Sequence, residues 1–271
     1  MNTFVLSERH LIRKLLSYRA RDITPVLDYA VEHNGAAGAH AYFQKQRQLM
    51  YAFPNEYHAI KLSALNLSSD LTHRLAEHAA YTNNKLMIDA EQVGIQQRVA
   101  SLTDELVAHP QSFHHVFKTY QMYRRDAMHR LVADIDYCVS NGHVLNVKLV
   151  RGAYLSQDRK TGMLYDTKED TDKAYDRAVD VLKYHEPMLG ELVFATHNKA
   201  SFDRIKNIAS EKCFHATLMG FDEPLLEWTS GSIRKMVYVP FGPYHQAIPY
   251  LLRRLYENPS VVFANNYCSV E

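Results

Sequence analysis

Short apolar or β-rich runs recur along the chain between longer stretches of helical periodicity. The runs cover 23–29, 59–65, 86–90, 115–120, 144–150, 192–196, 214–219 and 235–239, and each has the length and residue type of a buried strand. Apolar positions at helical spacing mark segments such as 71–83, 126–141, 172–184 and 201–209. Strand-like and helix-like segments that alternate in this way predict a parallel sheet with crossover helices. Eight such units without a linker, a repeat or a low-complexity tract predict one domain over 1–271, a (β/α)8 TIM-type barrel. Residues 1–22 are expected to form an N-terminal helix packing on that barrel. The competing architecture is an open doubly wound sheet, but no Gly-x-Gly-x-x-Gly follows any of the runs.

Most of the runs finish in a chemically active residue. These are Asp28 followed by Glu32, Lys61, Asp89 with Glu91, Gln121, the stretch from Lys148 to Tyr154, Thr196-His197-Asn198, and Tyr238. In a parallel barrel the C-terminal strand ends form the active-site face. A lone Asp can cap a helix and a lone Lys can be solvated, but recurrence at one end of most strands points to a shared site. Near the C-terminus, Tyr250, Arg253, Arg254 and Glu257 stand at i,i+3 and i,i+4 spacings, so one helical face can carry all four. Paired guanidinium groups beside an aromatic suit a small carboxylate, although a solvated charged face has the same spacing.

Composition narrows the partners more than the chemistry. A net charge of +1, with 46% hydrophobic and 23% charged residues, describes an ordinary globular protein and gives no nucleic-acid-binding signature. Cys138, Cys213 and Cys268 lie far apart and without a CxxC, which is expected of reduced thiols in an intracellular protein. No apolar run reaches the length of a membrane span. Arg9, Arg13, Lys14, Arg19 and Arg21 among leucines make a basic amphipathic N-terminus. That pattern fits a structural helix, the favoured reading because it runs straight into the first strand, but also a targeting signal or a peripheral membrane contact. No His-Glu-x-x-His is present among the fifteen histidines, and the pair His114-His115 would point to opposite faces of a strand, so no metal is expected.

Taken together, the strand-end segments resemble the proline dehydrogenases, flavin enzymes that begin proline catabolism. The resemblance rests on Val26-Leu-Asp-Tyr-Ala-Val-Glu32, Ile60-Lys-Leu-Ser-Ala-Leu65, Leu86-Met-Ile-Asp-Ala-Glu-Gln92, Thr119-Tyr-Gln-Met-Tyr123 and Lys148-Leu-Val-Arg-Gly-Ala-Tyr154. Ala195-Thr-His-Asn198, Tyr238-Val-Pro-Phe-Gly-Pro243 and the Arg253-Arg254 segment complete it, in family order and over nearly the whole chain. It implies a distorted barrel with non-covalent FAD at the strand ends and a last helix over the barrel mouth. It also implies oxidation of L-proline to Δ1-pyrroline-5-carboxylate by hydride transfer to flavin N5, with a quinone as electron acceptor. Asp89 and Lys148 would be the catalytic residues. Lys61, Tyr154, Leu218, Tyr238, Tyr250, Arg253, Arg254 and Glu257 would bind substrate, with Glu32 as a gate. Ala90, Gln121, Lys148, Arg151, Gly152, Ala153, Thr196, His197 and Asn198 would hold the flavin, with Lys168 a further phosphate or adenosine contact unless it is a solvated residue beside a Thr171-Asp172 cap.

Two departures and one specificity signal accompany the resemblance. Lys148 stands where some relatives carry arginine, and Thr217 where relatives usually have glutamine. Tyr238 occupies a place where hydroxyproline-oxidising relatives lack a tyrosine, which implies proline as the preferred substrate. The chain looks like a minimal catalytic barrel, without the long insertions of many eukaryotic relatives. Its expected location is the cytoplasm or the inner-membrane periphery in a bacterium, or the mitochondrion in a eukaryote. Two other readings compete. A lysine-dependent barrel enzyme could form a Schiff base at Lys61 or Lys148, and a non-catalytic barrel could bind a metabolite.

Overall fold

A computed structural model of the chain describes residues 4–30, 35–220 and 231–243, with side chains from residue 38 onward in the second stretch. Helix α1 (Glu8–Arg19) precedes β1 (Ile23–Tyr29), followed by α2 (Gly35–Ala52), β2 (Tyr57–Ile60), α3 (Ser69–Tyr81), β3 (Lys85–Ile88) and α4 (Val93–Ala108). Next come β4 (Val116–Gln121), α5 (Ala127–Asn141), β5 (Asn146–Val150), the short α6 (Leu155–Asp158) and α7 (Lys168–His185). The described chain closes with β6 (Leu192–Ala195), α8 (Lys199–Ile205), β7 (Cys213–Leu218) and β8 (Arg234–Phe241). All eight strands are parallel and pair in sequence order. β8 returns to β1 in register from Ile23 opposite Lys235 to Tyr29 opposite Phe241, so the expected (β/α)8 barrel is closed.

Local chemistry sets the element ends. The Ser7 hydroxyl accepts from the His10 amide and starts α1, and Ser68 does the same for α3 through Leu71. Gly142, at φ 67°, ends α5 in the left-handed conformation that glycine adopts without a Cβ clash. Helix α7 begins at Lys168, where the Thr167 side chain accepts from the Asp170 amide, and not at the Thr171-Asp172 step that its sequence resembles. The run 59–65 is a strand only to Ile60, because Leu62–Leu65 forms a 3-10 turn. Its apolar residues are buried in both conformations, so the pattern carries no sign of the change. His114 and His115 sit in the 3-10 turn Phe113–His115 ahead of β4, so the opposite-face argument for them does not apply.

Inward- and outward-facing positions alternate along the strands. Outward side chains join the helices in one large core, and inward ones form a smaller cluster of Val26, Ala59, Met87, Phe117, Val193, Phe214, Ala216, Met236 and Tyr238. A third cluster places Leu11, Leu15 and Tyr18 of α1 against Ile23, Leu27, Val237, Val239 and Phe241 on the outside of β1 and β8. That is the groove a helix following β8 would cover in a regular barrel. Burying Leu11 and Leu15 there contributes about 2 kcal/mol each. Cys138 and Cys213 are buried free thiols, and burial raises both to about 11; Cys268 lies outside the described residues. Among the described residues no helix is long and apolar enough to cross a membrane.

Candidate active site

Above the apolar interior cluster, several inward-facing rows end in a polar residue. On β3 the row Lys85, Met87 passes to Asp89. On β2 the row Tyr57, Ala59 passes to Lys61, and on β5 Asn146 is followed two residues on by Lys148. The period of two carries these side chains to one volume at the C-terminal mouth.

Asp89 is the centre of that volume. Its Oδ1 accepts from the Lys148 ammonium at 2.7 Å and its Oδ2 from the Lys61 ammonium at 3.2 Å. Asp28, at the end of β1, comes within 3.7 Å of the Lys61 ammonium and adds a second carboxylate. Tyr238 closes the other side, with Lys148 Nζ 4.3 Å from its ring centroid. Its hydroxyl donates to Met87 Sδ at 3.2 Å. Leu218 pairs in register with Tyr238 and packs on the interior cluster.

One carboxylate shared by two ammonium groups is an asymmetric arrangement. Burial works against the Asp89 charge, yet the Lys148 and Lys61 ammoniums override it and hold its pKa at about 2. Lys148 gains only part of that carboxylate and feels repulsion from Lys61. Burial therefore dominates and lowers its pKa below the ordinary lysine value. The result is an ionised pair whose cation is more acidic than a free lysine.

The remaining sequence-predicted residues lie around the mouth. Ala90 is buried beside Glu91, a buried carboxylate whose Oε1 accepts from the Ser63 amide at 2.9 Å. Burial raises the Glu91 pKa. The Gln121 amide donates to the Glu91 carbonyl at 2.9 Å, and its Oε1 accepts from the Ala153 amide at 3.3 Å. Gln121 thus ties the loops after β3, β4 and β5 together. Tyr154 is buried at the start of α6.

Arg151 stacks over the Tyr175 ring at 4.3 Å and donates to Asp172, Thr196 and Ser201 at 2.6, 2.7 and 2.8 Å. Lys168, exposed, pairs with the same Asp172 one helical turn along α7. The Thr196 hydroxyl also accepts from the Asn198 amide at 3.1 Å, while Asn198 caps α8 by accepting from the Ser201 amide at 3.2 Å. His197 is exposed. Thr217 stands between the inward-facing Ala216 and Leu218, so the pleat turns it away from the interior. Glu32, Tyr250, Arg253, Arg254 and Glu257 lie outside the described residues.

The sequence marks Asp28 and Glu91 at strand ends without giving them partners, and it marks Asp172 only as part of a helix cap. Asp28 stands in the same inward row as Val26, which is a readable signal. Asp172 has none, because it lies on a helix and meets Arg151 only through the fold.

A cavity of about 300 Å³ opens elsewhere, outside the barrel between α4, α5 and β4. There Lys118 bridges Asp104 and Asp134, so its ammonium is already engaged within the protein. It shares no residue with the mouth.

The mouth residues sort by strand. Gln121, Lys148, the 151–153 segment and the 196–198 segment lie on or just after β4, β5 and β6, which are consecutive neighbours. Leu218, Tyr238, Asp28 and Lys61 lie on or just after β7, β8, β1 and β2, the other consecutive arc, with Asp89 just after β3 at one junction. An extended ligand can run along the first arc while a compact one sits against the second.

A family model described as proline dehydrogenase matches residues 11–265. Hydroxyproline dehydrogenase of Rattus norvegicus is 32% identical over 224 residues, 73% of this chain and 48% of that protein. The mitochondrial proline dehydrogenase 1 of Homo sapiens is 30% identical over 213 residues, 69% of this chain and 34% of that protein. The one from Caenorhabditis elegans is 28% identical over 209 residues, again 34% of that protein, so the chain spans a third to a half of these relatives' length. Among solved structures, proline utilization A of Bdellovibrio bacteriovorus, inactivated by N-propargylglycine, superposes with a TM-score of 0.80. That likeness covers 94% of this chain and 32% of that one at 20% identity, and at that level it speaks to fold.

Proposed function

Because the chain belongs to the proline dehydrogenase family, we propose that it oxidises L-proline to Δ1-pyrroline-5-carboxylate with FAD as its cofactor. The observation that carries this reading is the Lys61–Asp89–Lys148 cluster against Tyr238 at the barrel mouth. Its residues fit both ligands. The β4–β6 arc offers backbone amides, a glycine and paired polar side chains to an elongated dinucleotide. The opposite arc offers Leu218 and Tyr238 to a small ring.

Bound FAD would supply the hydride acceptor. Everything else falls to the protein. Proline brings a carboxylate, which Lys61 attracts, while Asp28 and Asp89 offset the positive charge of the two lysines. Arg253 and Arg254 are assigned to the same carboxylate, with Glu257 and Glu32 as their counter-charges and Tyr250 as a wall. Lys148 stands where positive charge can stabilise electron density gained by the cofactor ring, and its lowered pKa makes its proton easier to give up. Tyr154, Leu218 and Tyr238 exclude water from the reacting carbon. The Tyr238 ring occupies interior volume beside Lys148, which favours proline over a substrate carrying an extra hydroxyl. A quinone is the proposed destination of the electrons.

The test is an anaerobic visible spectrum of the purified protein before and after L-proline. A yellow protein bleached by proline, and less readily by hydroxyproline, is the expected result. A colourless protein that stays inactive after FAD is added would overturn the reading. So would borohydride trapping of substrate on Lys61 or Lys148, which would make the site a Schiff-base one.

A further inference from the structure

Tyr123 and Asp158 have no part in the site described above, yet both are buried and joined to it. Asp158, at the end of α6, is 2% exposed, and a buried carboxylate is costly unless its oxygens are hydrogen-bonded. Its Oδ1 accepts from the amide of Val93, the first residue of α4, at 2.9 Å. Its Oδ2 accepts from the Tyr123 hydroxyl at 2.6 Å. Tyr123 follows β4, and its own amide donates to the Arg151 carbonyl at 2.8 Å. The Tyr123 ring also lies against Gly152, where an added Cβ would come within 2.6 Å of three ring carbons. Gly152 has φ +148°, a conformation that side chains rarely adopt. One phenol–carboxylate pair therefore gathers the segments that follow β3, β4 and β5.

We propose that Tyr123 and Asp158 form a clasp that positions the 151–153 segment for the cofactor, and so sets flavin affinity without touching the reacting atoms. The inference rests on the flavin reading given above. Gly152 has no side chain with which to anchor itself, and the Ala153 amide is held by one long hydrogen bond to Gln121. Arg151 is anchored by its own side chain, and what holds Gly152 beyond it is the Tyr123 ring packed against its Cα. What fixes the ring is the short hydrogen bond from its hydroxyl to Asp158, which is itself tied to the start of α4. The clasp residues are positioning residues. They act through the backbone that a phosphate-bearing ligand would approach.

The experiment uses the full chain with Asp158→Ala, Asp158→Asn and Tyr123→Phe. It reads the FAD dissociation constant by flavin fluorescence, kcat and KM for proline at saturating FAD, and amide hydrogen exchange over residues 151–158 without FAD. Asp158→Ala and Tyr123→Phe are expected to weaken FAD binding about tenfold or more and to speed exchange in that segment. The KM for proline should stay within about twofold, since the β7–β2 arc is untouched. Asp158→Asn keeps an acceptor for Val93 and a donor for the Tyr123 oxygen, so it should retain most of the affinity. FAD affinity unchanged in Tyr123→Phe, or a proline KM that moves as far as the FAD constant, overturns the clasp. If Asp158→Ala does not fold, Tyr123→Phe, which removes a single hydroxyl, decides alone. A wild-type chain that binds no FAD would sink the flavin reading itself, and the clasp with it if exchange is then equal in wild type and Tyr123→Phe.

Discussion

The two ends of the barrel treat buried polar groups in opposite ways, and strand β5 shows both within two residues. At the N-terminal end, Asn146 donates to the carbonyls of Phe113 and Val116 at 3.0 and 3.1 Å and accepts from the Glu191 amide at 2.9 Å. Asn84 does the same between β2 and β3. It accepts from the Glu56 amide at 2.7 Å and donates to the Met50 carbonyl at 3.0 Å. These amides are neutral and turned toward backbone. At the C-terminal end Lys148 and Lys61 converge on Asp89, and charge meets charge. The closed end uses polarity to stitch chain to chain. The open end concentrates ionised groups where a ligand can exchange with them. Stability and chemistry are thereby separated along a single strand.

Breaking Lys148 and Asn146 in turn gives the sharpest contrast. Lys148→Met should lower the rate of flavin reduction by proline about a thousandfold with a small change in melting temperature, because Asp89 keeps Lys61 as a partner. A variant that reduced flavin at near wild-type rate would take away the catalytic role of this lysine. Asn146→Ala should do the reverse. Leaving two carbonyls and an amide without this partner costs about 3–4 kcal/mol in chemical denaturation, while the folded fraction turns over normally.

Acid separates the ends more gently. His58, fully buried on β2 near the closed end, has its pKa lowered from 6.5 to about 4, mainly by burial. It is neutral in the folded state and charges more readily when unfolded. Its contribution is therefore complete above pH 6.5 and lost as pH falls toward 4, about 3 kcal/mol in all. Asp89, lowered from 3.8 to about 2, contributes above pH 3.8 and loses its share only as pH falls toward 2. Urea midpoints followed from pH 7 to 4 should fall in wild type and flatten in His58→Gln. Equal slopes would remove His58 from the account.

The smallest expected effect is Tyr238→Phe. It removes the contact to Met87 Sδ and should cost about 1 kcal/mol or less of stability, measured by calorimetry. A larger loss would mean that the open end also carries stability, which would blur the contrast between the two ends.

Much of this division was readable beforehand. The run at 23–29 forms strand β1 at Ile23–Tyr29, its start marked by the charged pair Arg21-Asp22. Asp89, Lys148 and Lys61 stood out because each follows a short apolar run. The turn at Leu62–Leu65 was hidden, since four apolar residues look alike in a strand or in a buried turn. Asp158 and Tyr123 were hidden for a different reason. One follows a strand and the other ends a short helix, thirty-odd positions apart, and no periodicity links a phenol to the carboxylate that accepts its hydrogen bond.

The alternation of short apolar runs with stretches of helical periodicity, a local property of the chain, by itself determined the number of strands, their parallel direction and the identity of the residues at their ends. Only the tertiary structure decided which of those ends meet. Closing the barrel brings β8 beside β1 and sets Tyr238 facing Lys148. It likewise lets one carboxylate be shared by two ammonium groups from different strands, and that sharing lowers the pKa of Asp89. Such pairings depend on distances across space, and electrostatic energy falls with distance through the folded molecule, not with separation along the chain.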